Sequence, residues 1–359
     1  MKDFVSYIAP LSDLAVIEIT GADAASFLHS QLTHDVVNLE VGQARLTGYC
    51  TAKGRLLGSL IFWHVQNAEN PTICALVKAD IAEALVKRLS MFVLRAKAKL
   101  TITDLRVLGL SVESTASDNT SSPAIGNQSV QGPDNPPCLD LSTLPSGPQP
   151  GAVVQTPNAT YVAAPSAEPA ITRWWAVVAS NAAPKPETPP SSGAAPLPTL
   201  SAPAPISTLE HTDYNAQWQS ADIAAGLPWV VAATQDVFIP QTLNLDLIDG
   251  VSFSKGCYPG QEVVARSHYR GTVKRRMAYG IISEVPAQPA QTLPGVDIFN
   301  AHNPNSPCGR VINAAQTHQT HVLLEVQLSD LDSADFRLGQ ADGPPIAIHA
   351  LPYPITVSS

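Results

Sequence analysis

Apolar residues in the first hundred positions recur in short runs whose spacing alternates between strand and helix periods. LAVIEIT (14–20) reads as a strand with imperfect alternation, and after Gly21 the apolar residues Ala24, Phe27, Leu28 and Leu32 recur at helical spacing. RLLGSLIFWHV (55–65) and TICALVKA (72–79) read as strands. Asp80 and Glu83 then offer a variant capping box to a helix that turns Ile81, Leu85 and Leu89 inward. KLTITDL (99–105) closes the series as a strand. The order β-α-β-β-α-β predicts a ferredoxin-like α+β unit over residues 1–112.

From Glu113 the pattern dissolves. ESTASDNTSSPAIGNQSVQGPDNPP and PKPETPPSSGAAPLPTLSAPAP (184–205) carry too little periodic apolar surface to offset chain entropy, which predicts disordered insertions. Between them ATYVAAPSAEPAITRWWAVVAS (159–180) reads as a strand pair, so 113–210 is expected to be a reduced middle subdomain. YNAQWQSADIAAGLP (214–228) predicts a helix stopped by Gly226 and Pro228 within a segment spanning 211–276. MAYGIIS, CGRVINAA, THVLLEVQL and PIAIHAL, separated by Gly, Pro and Asn, predict a small antiparallel barrel or sandwich over 277–359.

Composition narrows the function classes. A chain of 359 residues suits two or three structural units, and a formal net charge of -9 argues against broad, nonspecific binding to nucleic acid or anionic membrane. No stretch approaches the ~20 apolar residues of a membrane span, and Asp13 and Glu18 interrupt any signal-peptide core. Cys50, Cys74, Cys138, Cys257 and Cys308 are widely spaced with no Cys-x-x-Cys, so neither a disulfide framework nor a zinc ribbon is expected. The expected compartment is the cytoplasm, where thiols stay reduced. No P-loop, G-x-G-x-x-G or defensible Ser/His/Asp spacing occurs. His318 and His321 sit between two strand-like runs, where a hairpin turn explains them better than a metal does.

The densest chemistry lies in SFSKGCYPGQEVVARSHYRG (252–271). Six of the 21 cations (Lys255, Arg266, Arg270, Lys274, Arg275 and Arg276) fall in residues 255–276 against one acid, Glu262. Pro259 suits the first turn of a helix continuing through Gln261 to Arg266, which places Cys257 just before a helix N-terminus and beside Lys255. Both features favour thiolate, so the thiol is expected to ionise below the ~8.5 of a free cysteine. Gly256 and Gly260 would let backbone approach a ligand closely. From these residues alone Cys257 remains a nucleophile, a redox handle, a metal ligand or a small buried filler, although no second Cys or His stands at ligand spacing and His268 reads as a surface residue. The run VKRR (273–276) is a solvated face or a site for phosphate, polyglutamate or RNA.

The stretch FIPQTLNLDLIDGVSFSKGCYPGQEVVARSHYRGTVKRR (238–276) resembles the YgfZ family of folate-binding proteins, relatives of the glycine-cleavage T-protein that act in iron–sulfur cluster assembly and repair. The signature is Lys255-Gly256-Cys257-Tyr258-Pro259-Gly260-Gln261-Glu262, and ITGADAASFLHSQLTHDV (19–36) and CTAKGRLLGSLIFW (50–63) extend the resemblance. It implies a T-protein-like three-domain ring around a folate channel, with ferredoxin-like α+β units and a C-terminal small β-barrel. It further implies Cys257 as the reactive thiol with Lys255 as its electrostatic activator. For folate it implies Trp218, Gln241, Asn244, Tyr258, Gly260, Gln261, Glu262 and Arg266, while Leu14 replaces a family tryptophan. No resident metal is implied. The implied partners are folate and iron–sulfur client or assembly proteins, with tRNA modification affected indirectly. Two other readings are a folate-dependent one-carbon transferase or demethylase, opposed by the absence of a carboxylate in residues 54–68, and direct tRNA binding through the cations of 266–276.

Overall fold

The computed structural model describes residues 2–66, 68–115, 139, 141–180, 213–269, 273–284 and 286–355. Most of the two Pro- and Ser-rich stretches, residues 116–137 and 184–205, lies outside the described residues. The chain opens with β1 (Lys2–Pro10), β2 (Leu14–Thr20), α1 (Ala24–His29), β3 (Ala44–Cys50), β4 (Leu56–His64), β5 (Thr72–Lys78), α2 (Ala79–Ser90), β6 (Lys99–Ile102) and β7 (Arg106–Thr115). The first sheet runs β3-β4-β5-β2-β6, all antiparallel. Its last four strands with α1 and α2 form the expected β-α-β-β-α-β unit, and β3 adds an edge strand not foreseen in ARLTGYC.

Both faces of this sheet are covered, so its strands read as continuous apolar runs. Along β5, which is buried throughout, Ile73, Ala75 and Val77 join the helix-side core while Cys74 and Leu76 face the second sheet. The expected capping box at α2 is not formed. Lys78 is its N-cap residue, and Asp80 instead accepts from the Ala232 N–H at 2.8 Å, pinning a distant loop.

The second sheet runs β1-β7-β10-β9-β8, where β8 is Val153–Gln155, β9 Ala159–Ala164 and β10 Ile171–Val178. The opening strand and β7 thus belong here, so residues 1–112 are not one contiguous unit. Successive side chains of a strand point to opposite faces. Trp174 accordingly packs with Leu110 and Tyr161, and Trp175 packs against the first sheet with Trp63, Trp218 and Trp229.

Helix α3 (Tyr214–Ala224) starts at Asp213, whose carboxylate accepts from the N–H groups of Asn215 and Ala216, both at 3.1 Å. It stops before Gly226, whose φ of +66° requires glycine and where a Cβ would strike Tyr353 at 2.7 Å. Helix α4 (Gln261–Tyr269) is followed by β11 (Arg275–Ile282), β12 (Asp297–Asn300), β13 (Asn303–Gln316), β14 (Thr320–Gln327), β15 (Phe336–Leu338) and β16 (Ala347–His349). These form a curled six-stranded antiparallel sheet, β15-β12-β13-β14-β11-β16, a half-barrel. One of its faces, with Met277, Tyr279, Ile312 and Leu323, shares the core of the first unit. His318 falls in the β13–β14 turn and His321 in β14, where it pairs with the Tyr279 hydroxyl at 2.8 Å.

Candidate functional site

Two cavities flank the tryptophan cluster between the three sheets. The first, about 360 Å³, takes its walls from β3 and β4 (Arg45, Leu46, Ile61), the second sheet (Gly151, Trp175), the end of α3 (Leu227), Asp249 and the C-terminal Tyr353. Arg45 Nε lies 3.3 Å from Asp249 Oδ2. A hydrogen bond from His34, together with the charges of His34 and Arg45, holds the carboxyl of the exposed Asp249 below the usual range. The Tyr353 hydroxyl donates to Gly226 O at 2.9 Å, and burial pushes its pKa up to about 12. The second cavity, about 560 Å³, is bordered by Asp13, Lys78, Asp80, Gln219, Asp222, Trp229 and Asn313. Its polar groups are largely engaged with one another: Lys78 and Gln219 both donate to Asp13 Oδ2, and Asn313 bonds the backbone of Trp229.

Trp218, expected as an aromatic platform, borders neither cavity. The Arg173 guanidinium lies over the ring, 4.0 Å from its centroid, and Gly109 packs so close that a Cβ there would come within 2.4 Å of the indole. Arg173 also donates to Asp222 Oδ1 at 2.6 Å and to Trp218 O at 3.0 Å, while Trp229 Nε1 donates to Asp222 Oδ2 at 3.0 Å. This ion pair is only 2% and 4% exposed, and its hydrogen bonds to Trp218 O and from Trp229 Nε1 tie it to both indole-bearing residues. Trp175 meets Trp218 and Trp229 edge-on at 6.2 and 6.3 Å. The indoles that do border the cavities are Trp175 and Trp229. Leu14 sits buried in the same cluster, next to Asp13 of the second cavity.

The signature segment occupies a different corner. Cys257 is exposed, whereas Cys50, Cys74 and Cys308 are buried; Cys138 lies outside the described residues. Helix α4 starts at Gln261, so Pro259 and Gly260 form the turn before it and the thiol stands farther from the helix N-terminus than expected. Lys255 is buried: its Nζ donates to His29 O and, at 2.6 Å, to Leu32 O at the end of α1, and lies 5.0 Å from the centre of the Tyr258 ring. Burial lowers its pKa to about 8 against the opposing charges of Asp35 and Cys257. Gly260, at φ +83°, would place a Cβ 2.4 Å from Thr51 O, so this glycine serves chain-on-chain packing of α4 against the β3–β4 turn. Gly256 faces an open space whose nearest atom is His29 Nε2, 3.7 Å from a would-be Cβ.

The other expected folate residues are dispersed. Gln241 donates to Val264 O at 2.7 Å and Asn244 to Met277 O at 2.9 Å, both fully buried structural pins. Tyr258 is buried beneath Lys255, Gln261 is partly covered, and Glu262 and Arg266 lie on the exposed side of α4. The basic run is likewise broken up. Arg276 makes a bidentate pair with Asp246 (2.6 and 3.0 Å) and Arg275 pairs with Glu325 at 2.9 Å, which leaves Arg266 and Lys274 exposed while Arg270 lies outside the described residues. Exposed His268 stacks on Phe253 with centroids 3.7 Å apart. Among the described residues no group of three or more His, Cys, Asp or Glu is placed to hold a metal, and no helix is long and apolar enough to cross a membrane.

Three sheets joined in this way define a T-protein-like α+β protein. The aminomethyltransferase T of the glycine cleavage system from Bartonella henselae superposes with a TM-score of 0.58 over 96% of this chain and 85% of that one, at 13% identity, which is a likeness of fold. No family model matches the chain. In sequence it is 30% identical over 353 residues to the tRNA-modifying protein YgfZ of Cronobacter sakazakii, covering 96% of this chain and 92% of that protein. It is 26% identical over 359 residues to the protein of that description from Sodalis glossinidius, covering 97% and 92%. The chain belongs to the YgfZ family of tRNA-modifying proteins.

Proposed function

We propose that the chain supports tRNA modification by holding a reduced folate in the first cavity and presenting Cys257 at a separate surface to iron–sulfur client or assembly proteins. The observation that carries this reading is the first cavity itself. At about 360 Å³ it falls within the ~300–1,000 Å³ of small-molecule sites, and its lining suits a pterin with an acidic tail. Trp175 offers an edge of indole to a flat ring, the Asp249 carboxylate accepts from ring N–H donors, and Arg45 pairs with a glutamate carboxylate. When bound, a reduced folate supplies a one-carbon unit or a reducing pterin. The chain's own contribution is to exclude water around the ring and to orient the Asp249 carboxylate through His34 and Arg45.

A transferase of aminomethyl type is not supported by the residues present. Residues 54–68 hold no Asp or Glu, and Ser59 of that stretch is buried, donating to Pro228 O at 3.3 Å and accepting from Val230 N–H at 3.0 Å. Direct RNA binding keeps little charge once Arg275 and Arg276 are paired.

Calorimetric titration with tetrahydrofolate tests the cavity: we expect binding by the wild type and at least about tenfold weaker binding by Trp175→Leu. Equal affinity of the two proteins would remove the first cavity from the reading. A bacterial strain lacking its own family member, scored for methylthiolated tRNA and aconitase-type activity, tests the thiol. Full rescue by Cys257→Ser would take the sulfur out of the function.

A further inference from the structure

A stretch that neither the cavities nor the signature uses joins α2 to β6. Residues 84–103 hold five cations (Lys87, Arg88, Arg95, Lys97 and Lys99) and no Asp or Glu, in a chain whose formal net charge is -9. All five are exposed, and among the described residues none forms an ion pair. Between them three large apolar side chains stand in water: Met91 is 60% exposed, Phe92 48% and Leu94 85%. The inward positions of the stretch, Leu89, Val93, Ala96, Ala98 and Leu100, already pack on the core of the first unit, and the outward ones are left facing solvent. The loop is firmly held. Lys97 N–H donates to Asp23 Oδ2 at 2.7 Å, Lys97 O accepts from Asp23 N–H at 3.1 Å, and a Cβ at Gly21 would come within 2.1 Å of Lys97 O.

We propose that this surface docks an acidic partner protein whose apolar recess takes Phe92 and Leu94, and that docking there brings the partner to Cys257. An apolar centre inside a charged rim is the anatomy of a protein interface. Leu94, the most exposed of the three, has no ring to stack on a base, which argues against RNA. A lipid leaflet or an RNA is an extended polyanion that also confronts the acidic remainder of the chain, whereas a folded protein meets the patch alone. The reach to the thiol is set by α1. Asp23, its N-cap residue, holds Lys97, and the His29 carbonyl at its other end holds the Lys255 ammonium. The helix has six residues, so at ~1.5 Å per residue the two anchors stand roughly 9 Å apart. Exposed Cys257 follows two residues after Lys255. A protein footprint of roughly 800 Å², about 28 Å on a side, spans both. The link to the thiol rests on Cys257 being the working sulfur of the proposed function; the docking itself does not.

The test places the photo-crosslinker p-benzoylphenylalanine at Leu94, or at exposed Ser254 near the thiol, in full chains expressed in the bacterial strain that the wild type rescues. Adducts are identified by mass spectrometry. We expect the same acidic protein at both positions, with a yield that falls at least about tenfold when Arg95→Glu, Lys97→Glu and Lys99→Glu are combined. Phe92→Ser with Leu94→Ser, which keeps every charge, should give a similar loss read from position 254. Either variant should restore methylthiolated tRNA at least about fivefold less well than the wild type. Tetrahydrofolate affinity and the rate of Cys257 carbamidomethylation by iodoacetamide should both stay at wild-type values. The docking assignment is overturned by the absence of a protein adduct at Leu94, by a yield that ignores the charge reversal, or by full rescue with both variants. Bulk tRNA in a low-salt gel shift and phosphatidylglycerol vesicles in flotation probe the two rivals, and binding of either that the charge reversal abolishes would overturn it too. An acidic protein caught at Leu94 and never at Ser254 would overturn the link to the thiol. Because adducts are read without reference to activity, the docking can fail while Cys257→Ser still shows the thiol to be essential, and the reverse.

Discussion

The first cavity and the thiol corner lie at opposite ends of one strand and are built on opposite principles. Arg45 and Leu46 at the start of β3 line the cavity, whereas the β3–β4 turn after Cys50 receives Gly260 and α4. At ~3.3 Å per residue, the intervening strand separates them by roughly 13–20 Å. One wall of the cavity is Trp175, which belongs to a tryptophan cluster packed around a buried ion pair; the corner is an exposed loop held by one lysine and one glycine contact. A ligand in the cavity would not touch the sulfur. Under the proposed function the cavity's ligand and the thiol would serve different partners, and substitutions confined to one region should leave the other largely intact.

The largest effect should come from Arg173→Met. It leaves Asp222 charged and buried without its partner, which typically costs about 3–5 kcal/mol. Urea unfolding should show that loss and tetrahydrofolate titration should show weakened binding, while the Cys257 alkylation rate of the folded fraction stays at its wild-type value. Next comes Gly260→Ala, which forces a Cβ against the Thr51 carbonyl in the left-handed region. About 2–3 kcal/mol of stability should go, alkylation of Cys257 should change, and folate affinity should hold. A smaller and sharper contrast is Trp175→Leu against Trp218→Phe. The first should weaken folate binding at least about tenfold; the second should mainly lower stability, leaving affinity within about threefold, since Trp218 is enclosed by Arg173 and Gly109. The reverse ranking would transfer the site to Trp218.

The mildest effect concerns pH. Burial pushes Cys50 and Cys74 up to about 12 from 9.0, so the unfolded chain releases these protons first. Their contribution to stability is whole below about pH 9 and declines as pH rises toward 12. Lys255 works against this trend: its pKa falls from 10.5 to about 8, so the cost of burying its charge is relieved between those values. Unfolding midpoints measured from pH 8 to 11 should therefore fall less steeply in a Cys50→Ala, Cys74→Ala protein.

What the sequence made legible followed from local periodicity. The strands at Leu14–Thr20 and Thr72–Lys78 and the helix at Ala79–Ser90 stand where the apolar pattern put them, and the signature led to the family. β1 and β3 were missed because KDFVSYIAP and ARLTGYC mix polar and apolar residues without clean alternation, and their strand character comes from partners supplied by β7 and β4. The cations at 275 and 276 looked free because their acids, Glu325 and Asp246, are 50 and 30 positions distant. Trp218 looked like the ligand platform because nothing in the string reveals that Arg173 and Gly109 both pack against its ring.

The register that sets Pro10 opposite Leu108 and Lys2 opposite Thr115 has a consequence for biosynthesis. Among the described residues, β1 has no strand partner until β7, roughly a hundred residues later in synthesis, so the second sheet closes through a long-range contact. During that interval the unpaired strand is open to adventitious strand addition, which makes β1 a point of exposure to misassembly while the chain is being made.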